Sequence, residues 1–189
     1  MTKIEAKPEP EYPPSPYSSP IGKSNIESHT LSVLVDNEPG VLARVVGLFS
    51  ARSFNIESLT VAEVVHETHQ SRITIVTSGT IEVVEQVRHQ LERLVPIHSV
   101  TDLTETTRAI ERELAMVKVQ GKGEQRVEAL RLADAFRARV IDATTESFIF
   151  EITGKSEKIE QFVALMLPLG LVEVSRTGIA AIARGPEGM

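Results

Sequence analysis

Cysteine and tryptophan are both absent from the 189 residues. The first absence excludes disulfides, thiolate metal sites and a thiol nucleophile, and it is compatible with a reducing compartment. No run approaches the roughly 18 apolar residues of a membrane span, and the first residues lack the apolar core of a secretory signal. Positive charge is short as well: 20 Lys and Arg face 26 Asp and Glu, a net charge of −6, and no basic stripe breaks the pattern. Nucleic-acid binding needs clustered Lys and Arg against phosphates, so that class of partner is excluded on charge. What is present, 41% hydrophobic and 24% charged residues, is the balance of a globular protein. A cytoplasmic location is the expectation.

Six of the ten prolines fall at positions 8, 10, 13, 14, 16 and 20, among serines and almost no aliphatic side chains. Residues 1–27 therefore cannot build a core and read as a disordered, partly polyproline-like tail. Glu5, Glu9 and Glu11 argue against an organelle transit peptide, which is poor in acids. Beyond the tail, Leu31, Val33 and Val35 alternate with Ser32 and Leu34 in a strand that stops at Asp36. A tight polar loop, Asp36-Asn37-Glu38-Pro39-Gly40, leads into a helix striped by Val41, Leu42, Val45, Leu48 and Phe49. The turn Ser53-Phe54-Asn55 opens a second strand, Ile56 to Val65, rich in Thr and Val. His66-Glu67-Thr68-His69-Gln70 reads as a hairpin loop; its two histidines lack further ligands at metal-binding spacing. A third strand, Arg72 to Ser78, precedes a helix with Val84, Val87, Leu91 and Leu94 as its stripe and Thr80 as its cap. After Pro96, Ile97 to Leu103 supplies a fourth strand.

The polar stretch Thr104 to Arg112 separates this unit from a second one. There Leu114 to Gln120 is a strand, and Ala129, Leu130, Ala133 and Phe136 stripe a helix. Val140 to Thr144 pairs as a hairpin with Phe148 to Thr153, where Phe148, Phe150 and Ile152 alternate. Ile159, Phe162, Val163 and Met166 fall at i, i+3, i+4 and i+7, a helix that Ser156 can cap and that Pro168 and Gly170 close. Leu171 to Ser175 and Ile179 to Ala183 are the last strands. The order β-α-β-β-α-β thus occurs twice, and the fold class is α+β: two tandem ferredoxin-like units, with boundaries at 28–104 and 105–189.

The loop after the first strand carries the chemistry. A helix start presents unpaired N–H groups and a partial positive charge, a seat for a carboxylate or phosphate. Gly40 permits close approach to the backbone, Asn37 both donates and accepts, and Val41 and Leu42 add apolar surface. A small amino acid fits that description. A plain strand-helix connection, with Asp36 or Asn37 as cap and Pro39 fixing the first turn, accounts for the same residues.

Three segments of this region, Asn37-Glu38-Pro39-Gly40, the RVVGLFS helix from Arg44 to Ser50, and Arg52-Ser53-Phe54-Asn55-Ile56-Glu57-Ser58-Leu59-Thr60, resemble the ACT domain of the small, regulatory subunit of acetolactate synthase, and the likeness continues over residues 28–185. The resemblance implies a chain that is not itself a catalyst and binds no cofactor. Thiamine diphosphate, Mg²⁺ and FAD would sit on a catalytic large subunit, which the small subunit activates and renders sensitive to feedback inhibition in branched-chain amino-acid biosynthesis. It further implies a homodimer paired through ACT domains. Valine would then lie between the Asn37–Gly40 loop with Val41 and Leu42 of one chain and Asn55 and Ile56 of its partner. Helix-end electrostatics of about 0.3–1 kcal/mol act on any amino-acid carboxylate, whereas one methylene in the side-chain pocket is worth about 1–3 kcal/mol. Valine is therefore separable from alanine, while valine, isoleucine and leucine overlap.

Two other readings stay open: a free-standing amino-acid-binding ACT module acting on a different enzyme, and a small ferredoxin-like enzyme. The second finds no support in a nucleophile elbow, a Walker loop or a metalloprotease helix, and Gly121-Lys122-Gly123 and Gly154-Lys155-Ser156 are only fragments of a phosphate loop. The turn Ser175-Arg176-Thr177-Gly178 fits the resembled family, with no role that the sequence assigns.

Overall fold

The computed structural model describes residues 26–65, 67–104 and 109–186. The first unit runs β1 (Glu27–Asp36), α1 (Val41–Ala51), β2 (Ser58–Val65), β3 (Gln70–Gly79), α2 (Ile81–Leu91) and β4 (Ile97–Asp102). Its strands form an antiparallel sheet in the order β2-β3-β1-β4. The second unit repeats the plan with β5 (Ile110–Gln120), α3 (Glu124–Ala135), β6 (Arg139–Ala143), β7 (Ser147–Gly154), α4 (Ser156–Met166) and β8 (Leu171–Arg176), in the equivalent order β6-β7-β5-β8. A short β9 (Ala180–Ile182) pairs with the start of β5, Ile110 opposite Ile182. Both units are ferredoxin-like, and the chain is α+β.

The period-two and period-3.6 patterns converge on one core per unit. Leu31, Val33 and Val35 of β1 and Ile73 and Ile75 of β3 are buried under Val41, Val45 and Phe49 of α1 and Val84, Val87 and Leu91 of α2. In the second unit Ala115, Val117 and Val119 of β5 and Phe148, Phe150 and Ile152 of β7 lie beneath Ala129 and Ala133 of α3 and Ile159, Phe162 and Met166 of α4. Phe150 and Phe162 meet edge to face at 6.1 Å between ring centres, an arrangement that matches the positive edge of one ring to the negative face of the other. Ile152→Val removes one methylene from a position 1% exposed; it should cost about 0.5–1.5 kcal/mol in urea unfolding, with the denaturant slope unchanged.

Several expectations are corrected. Thr80 makes no side-chain cap hydrogen bond to α2. Ser156 is the first residue of α4, and its hydroxyl donates to Glu113 at 2.9 Å in place of capping the helix. The polar stretch up to Arg112 is not all linker: β5 begins at Ile110 because β9 supplies it with a partner strand. Leu130 is 39% exposed and leaves the α3 stripe to Ala129 and Ala133. At the amino end β1 already includes Glu27, while the proline-rich residues before Ile26 lie outside the described residues, as does His66. His69, the other histidine of that hairpin, sits 3.5 Å from Glu63, and no cluster of three potential metal ligands occurs among the described residues.

Candidate functional site

Loop and helix are built by local chemistry. The β1–α1 loop is pinned at its base: Asp36 N–H donates to the Pro96 carbonyl at 2.9 Å, Asn37 N–H to the His69 carbonyl at 2.7 Å, and the Asp36 carboxylate meets His98 Nε2 at 2.6 Å. Gly40 closes the loop in the left-handed region at φ +88°, which a residue with a Cβ adopts only under strain. Helix α1 then starts with no side-chain cap and no acidic residue in its first turn. Neither Asp36 nor Asn37 caps it; the Val41 N–H turns back to the Glu38 carbonyl at 3.4 Å, and no side chain meets the rest of the positive helix end. Asn37 and Gly40 are exposed beside it, Leu42 is 41% exposed, and Val41 turns into the core.

Asn55 and Ile56 lie elsewhere. The Asn55 carbonyl accepts the Thr77 hydroxyl at 2.6 Å, and Asn55 itself is exposed, with Ile56 half-buried. His69 and Thr77 are eight residues apart along β3 and its approach, about 26 Å at 3.3 Å per residue. One chain therefore does not bring Asn37 and Asn55 together: the two groups occupy opposite ends of the same sheet.

A second polar cluster, for which the sequence offered no signal beyond the unexplained turn, lies where the units meet. Glu113 is 4% exposed. Its carboxylate receives Arg176 Nε and Arg176 NH2, both at 2.7 Å, and the Ser156 hydroxyl. These hydrogen bonds, Arg176 foremost, hold its pKa below the usual carboxylate value against the opposing effect of burial; the Gly178 N–H adds to them. The residues that follow Arg176 reach the first unit: Ile179 N–H donates to the Ser58 hydroxyl at 3.0 Å, and the Thr60 hydroxyl donates to the Thr177 carbonyl at 3.3 Å. Nearby, the Thr30 hydroxyl donates to Glu111 at 2.7 Å. The two neutral contacts to Ser58 and Thr60 are worth about 0.5–1.5 kcal/mol each, whereas the bond to the Glu111 carboxylate and the two-pronged Arg176–Glu113 pair are charge-assisted. A cleft of about 870 Å³ opens between the units, bordered by Glu57, Glu113, Ser156 and Arg176, and includes none of Asn37, Gly40, Leu42 or Asn55.

Comparison with known proteins covers both units. Residues 31–99 match the family model described as the AHAS small subunit-like ACT domain, and residues 112–185 the model described as the small subunit of acetolactate synthase. The chain is 47% identical over 157 residues to a probable acetolactate synthase small subunit of Archaeoglobus fulgidus, covering 83% of this chain and 97% of that one. It is 44% identical over 158 residues to the acetolactate synthase small subunit of Haemophilus influenzae, covering 83% and 96%. The crystal structure of the acetolactate synthase small subunit from Thermotoga maritima superposes with a TM-score of 0.77 at 38% identity, over 86% of this chain and all of that one. No helix among the described residues is long and apolar enough to cross a membrane. With two ferredoxin-like units in one strand order, family matches in each, and relatives aligned over nearly their whole length, the chain belongs to the acetolactate synthase small-subunit family.

Proposed function

We propose that this chain is a non-catalytic regulatory subunit that activates a thiamine-diphosphate-dependent acetolactate synthase catalytic subunit and makes it sensitive to feedback inhibition by valine or a related branched-chain amino acid. The observation that carries the effector reading is the bare start of α1, uncapped and without acidic residues, beside exposed Asn37, Gly40 and Leu42. A zwitterion supplies what is missing there: its carboxylate takes the free N–H groups, Asn37 meets its polar atoms, and Leu42 lies against its side chain. The distance between Asn37 and Asn55 supports a homodimer. Two copies related by a two-fold axis, their sheets antiparallel, place the loop of one beside the Asn55–Ile56 segment of the other, and the pocket then belongs to the pair.

Regulation follows from differential affinity. Valine that binds one arrangement of the two chains better than another shifts the pair toward it, and the catalytic subunit responds to that shift. The second unit is the part available to dock the catalytic subunit or to set the size of the response. The direct test is affinity capture of the tagged full-length chain from its own cells, assaying acetolactate formation from pyruvate with and without valine. Co-purification of a large subunit whose activity falls on adding valine is the expected result. Valine binding to the captured chain without any partner or acetolactate formation would instead favour a free-standing ACT module acting on a different enzyme.

A further inference from the structure

The turn from Arg176 to Ile179 has a firm base and a light tip. At its base, Arg176 is forked onto buried Glu113, Thr177 N–H donates to the Leu114 carbonyl at 3.0 Å, and Leu114 N–H donates to the Thr177 hydroxyl at 3.2 Å. These bonds make the turn a rigid part of the second unit. Its tip meets the first unit through two neutral hydrogen bonds, from Ile179 N–H to Ser58 and from Thr60 to the Thr177 carbonyl. Water readily replaces contacts of that kind. The approach is close: a Cβ on Gly178 would stand 2.7 Å from Ser58 Oγ and 2.9 Å from Thr60 Oγ1, and Gly178 has φ +80°. Ser58 is the first residue of β2, and only Glu57 separates it from Ile56 and Asn55. Glu57 N–H is tied to the Val76 carbonyl at 2.8 Å and the Asn55 carbonyl accepts the Thr77 hydroxyl at 2.6 Å, so the segment from Asn55 to the strand start that the turn grips is fixed to β3 as one piece and shifts with it.

We propose that the Arg176–Ile179 turn is the latch that carries the effector signal from Asn55 and Ile56, through Ser58 and Thr60, into the second unit. The proposal rests on the effector site assigned above. Valine bound at Asn55 and Ile56 fixes the placement of the β2 start, and the turn, held at its base and water-exchangeable at its tip, reports that placement to the second unit. Loosening the tip should uncouple the two units without removing the ligand's own contacts.

The test uses Gly178→Ala and the double variant Ser58→Ala/Thr60→Val, each as the full chain reconstituted with the catalytic subunit. The double variant deletes only the two hydroxyls and keeps a β-branched side chain at position 60, so it carries the test if Gly178→Ala does not fold. Calorimetry on the small subunit should show valine binding within about threefold of wild type, while the valine concentration for half-inhibition rises by about tenfold or inhibition becomes partial, within the usual range of allosteric coupling. Hydrogen exchange at the Ile179 N–H should quicken in both variants. If both are inhibited like wild type, the latch is overturned while the effector site stands. If wild type itself neither binds valine nor responds to it, the effector site fails and the latch falls with it.

Discussion

A Gly40→Asp small subunit should still activate its catalytic partner and should lose its response to valine by two to three orders of magnitude in concentration. The space is available: no atom lies within 4 Å of a Cβ built on Gly40. The new carboxylate therefore enters the site without displacing its walls. In the proposed site it would face the carboxylate of the ligand, and two like charges about 4 Å apart at an effective dielectric near 20 repel by about 4 kcal/mol. It also takes the free N–H groups of the α1 start for itself, as an acidic residue at a helix start does. Aspartate at φ +88° costs about 1–2 kcal/mol of stability, small against a cooperative domain, so activation survives. Titrating acetolactate formation with valine on reconstituted enzyme, beside thermal unfolding, checks both halves; inhibition at the wild-type concentration would remove the loop from the site.

Arg176→Ala should destabilise the second unit by about 1–3 kcal/mol at neutral pH, because it leaves a buried carboxylate with the Ser156 hydroxyl, a backbone N–H and the water of the cleft as its remaining partners. The pH dependence identifies the cause. In the wild-type chain the Glu113 pKa lies below its unfolded value near 4.5, so its contribution is fully present above about pH 4.5 and fades as pH falls through the folded value. Without Arg176 the largest of the effects that lower it is gone, and the folded pKa moves up from its wild-type position. The variant therefore has less of this contribution to lose on acidification than the wild type. The gap between the two proteins should therefore be full at pH 7 and shrink as pH falls below about 4.5, measured by urea unfolding at each pH. A gap independent of pH would mean that Arg176 contributes by packing alone.

The difference in legibility between these two places is physical. Asn37 and Gly40 stand within four residues of each other, and the loop, helix start and apolar neighbours that give them meaning are local; the same holds for the alternation of Phe148, Phe150 and Ile152, buried as expected. Glu113 and Arg176 are 63 residues apart and meet because β5 pairs with β8. Nothing near Glu113 marks it: in Glu111-Arg112-Glu113 it looks like one more surface charge, and the run reads as a linker. Ser156 shows the same limit, since a serine at a helix start invites a capping role, and only its neighbour across the sheet shows where its hydroxyl goes. The Asn55 end of the candidate site was legible from the resemblance alone. That it lies a sheet length away from Asn37 in the same chain required the strand register.

Ser58 and Ile179 are joined by a hydrogen bond across 121 residues of chain. A ribosome adding about 5–20 residues per second takes roughly 6–24 s to travel that distance, far longer than a small α+β unit needs to fold. The first sheet therefore has time to form before the turn that covers Ser58 and Thr60 has been made. Assembly has an order: the Thr30–Glu111 contact becomes possible once β5 is made, and the contacts of the turn and of β9 come later. A translation product cut short before Arg176 would keep the Thr30–Glu111 contact but lack both the turn that holds Ser58 and Thr60 and the last strand of the second sheet.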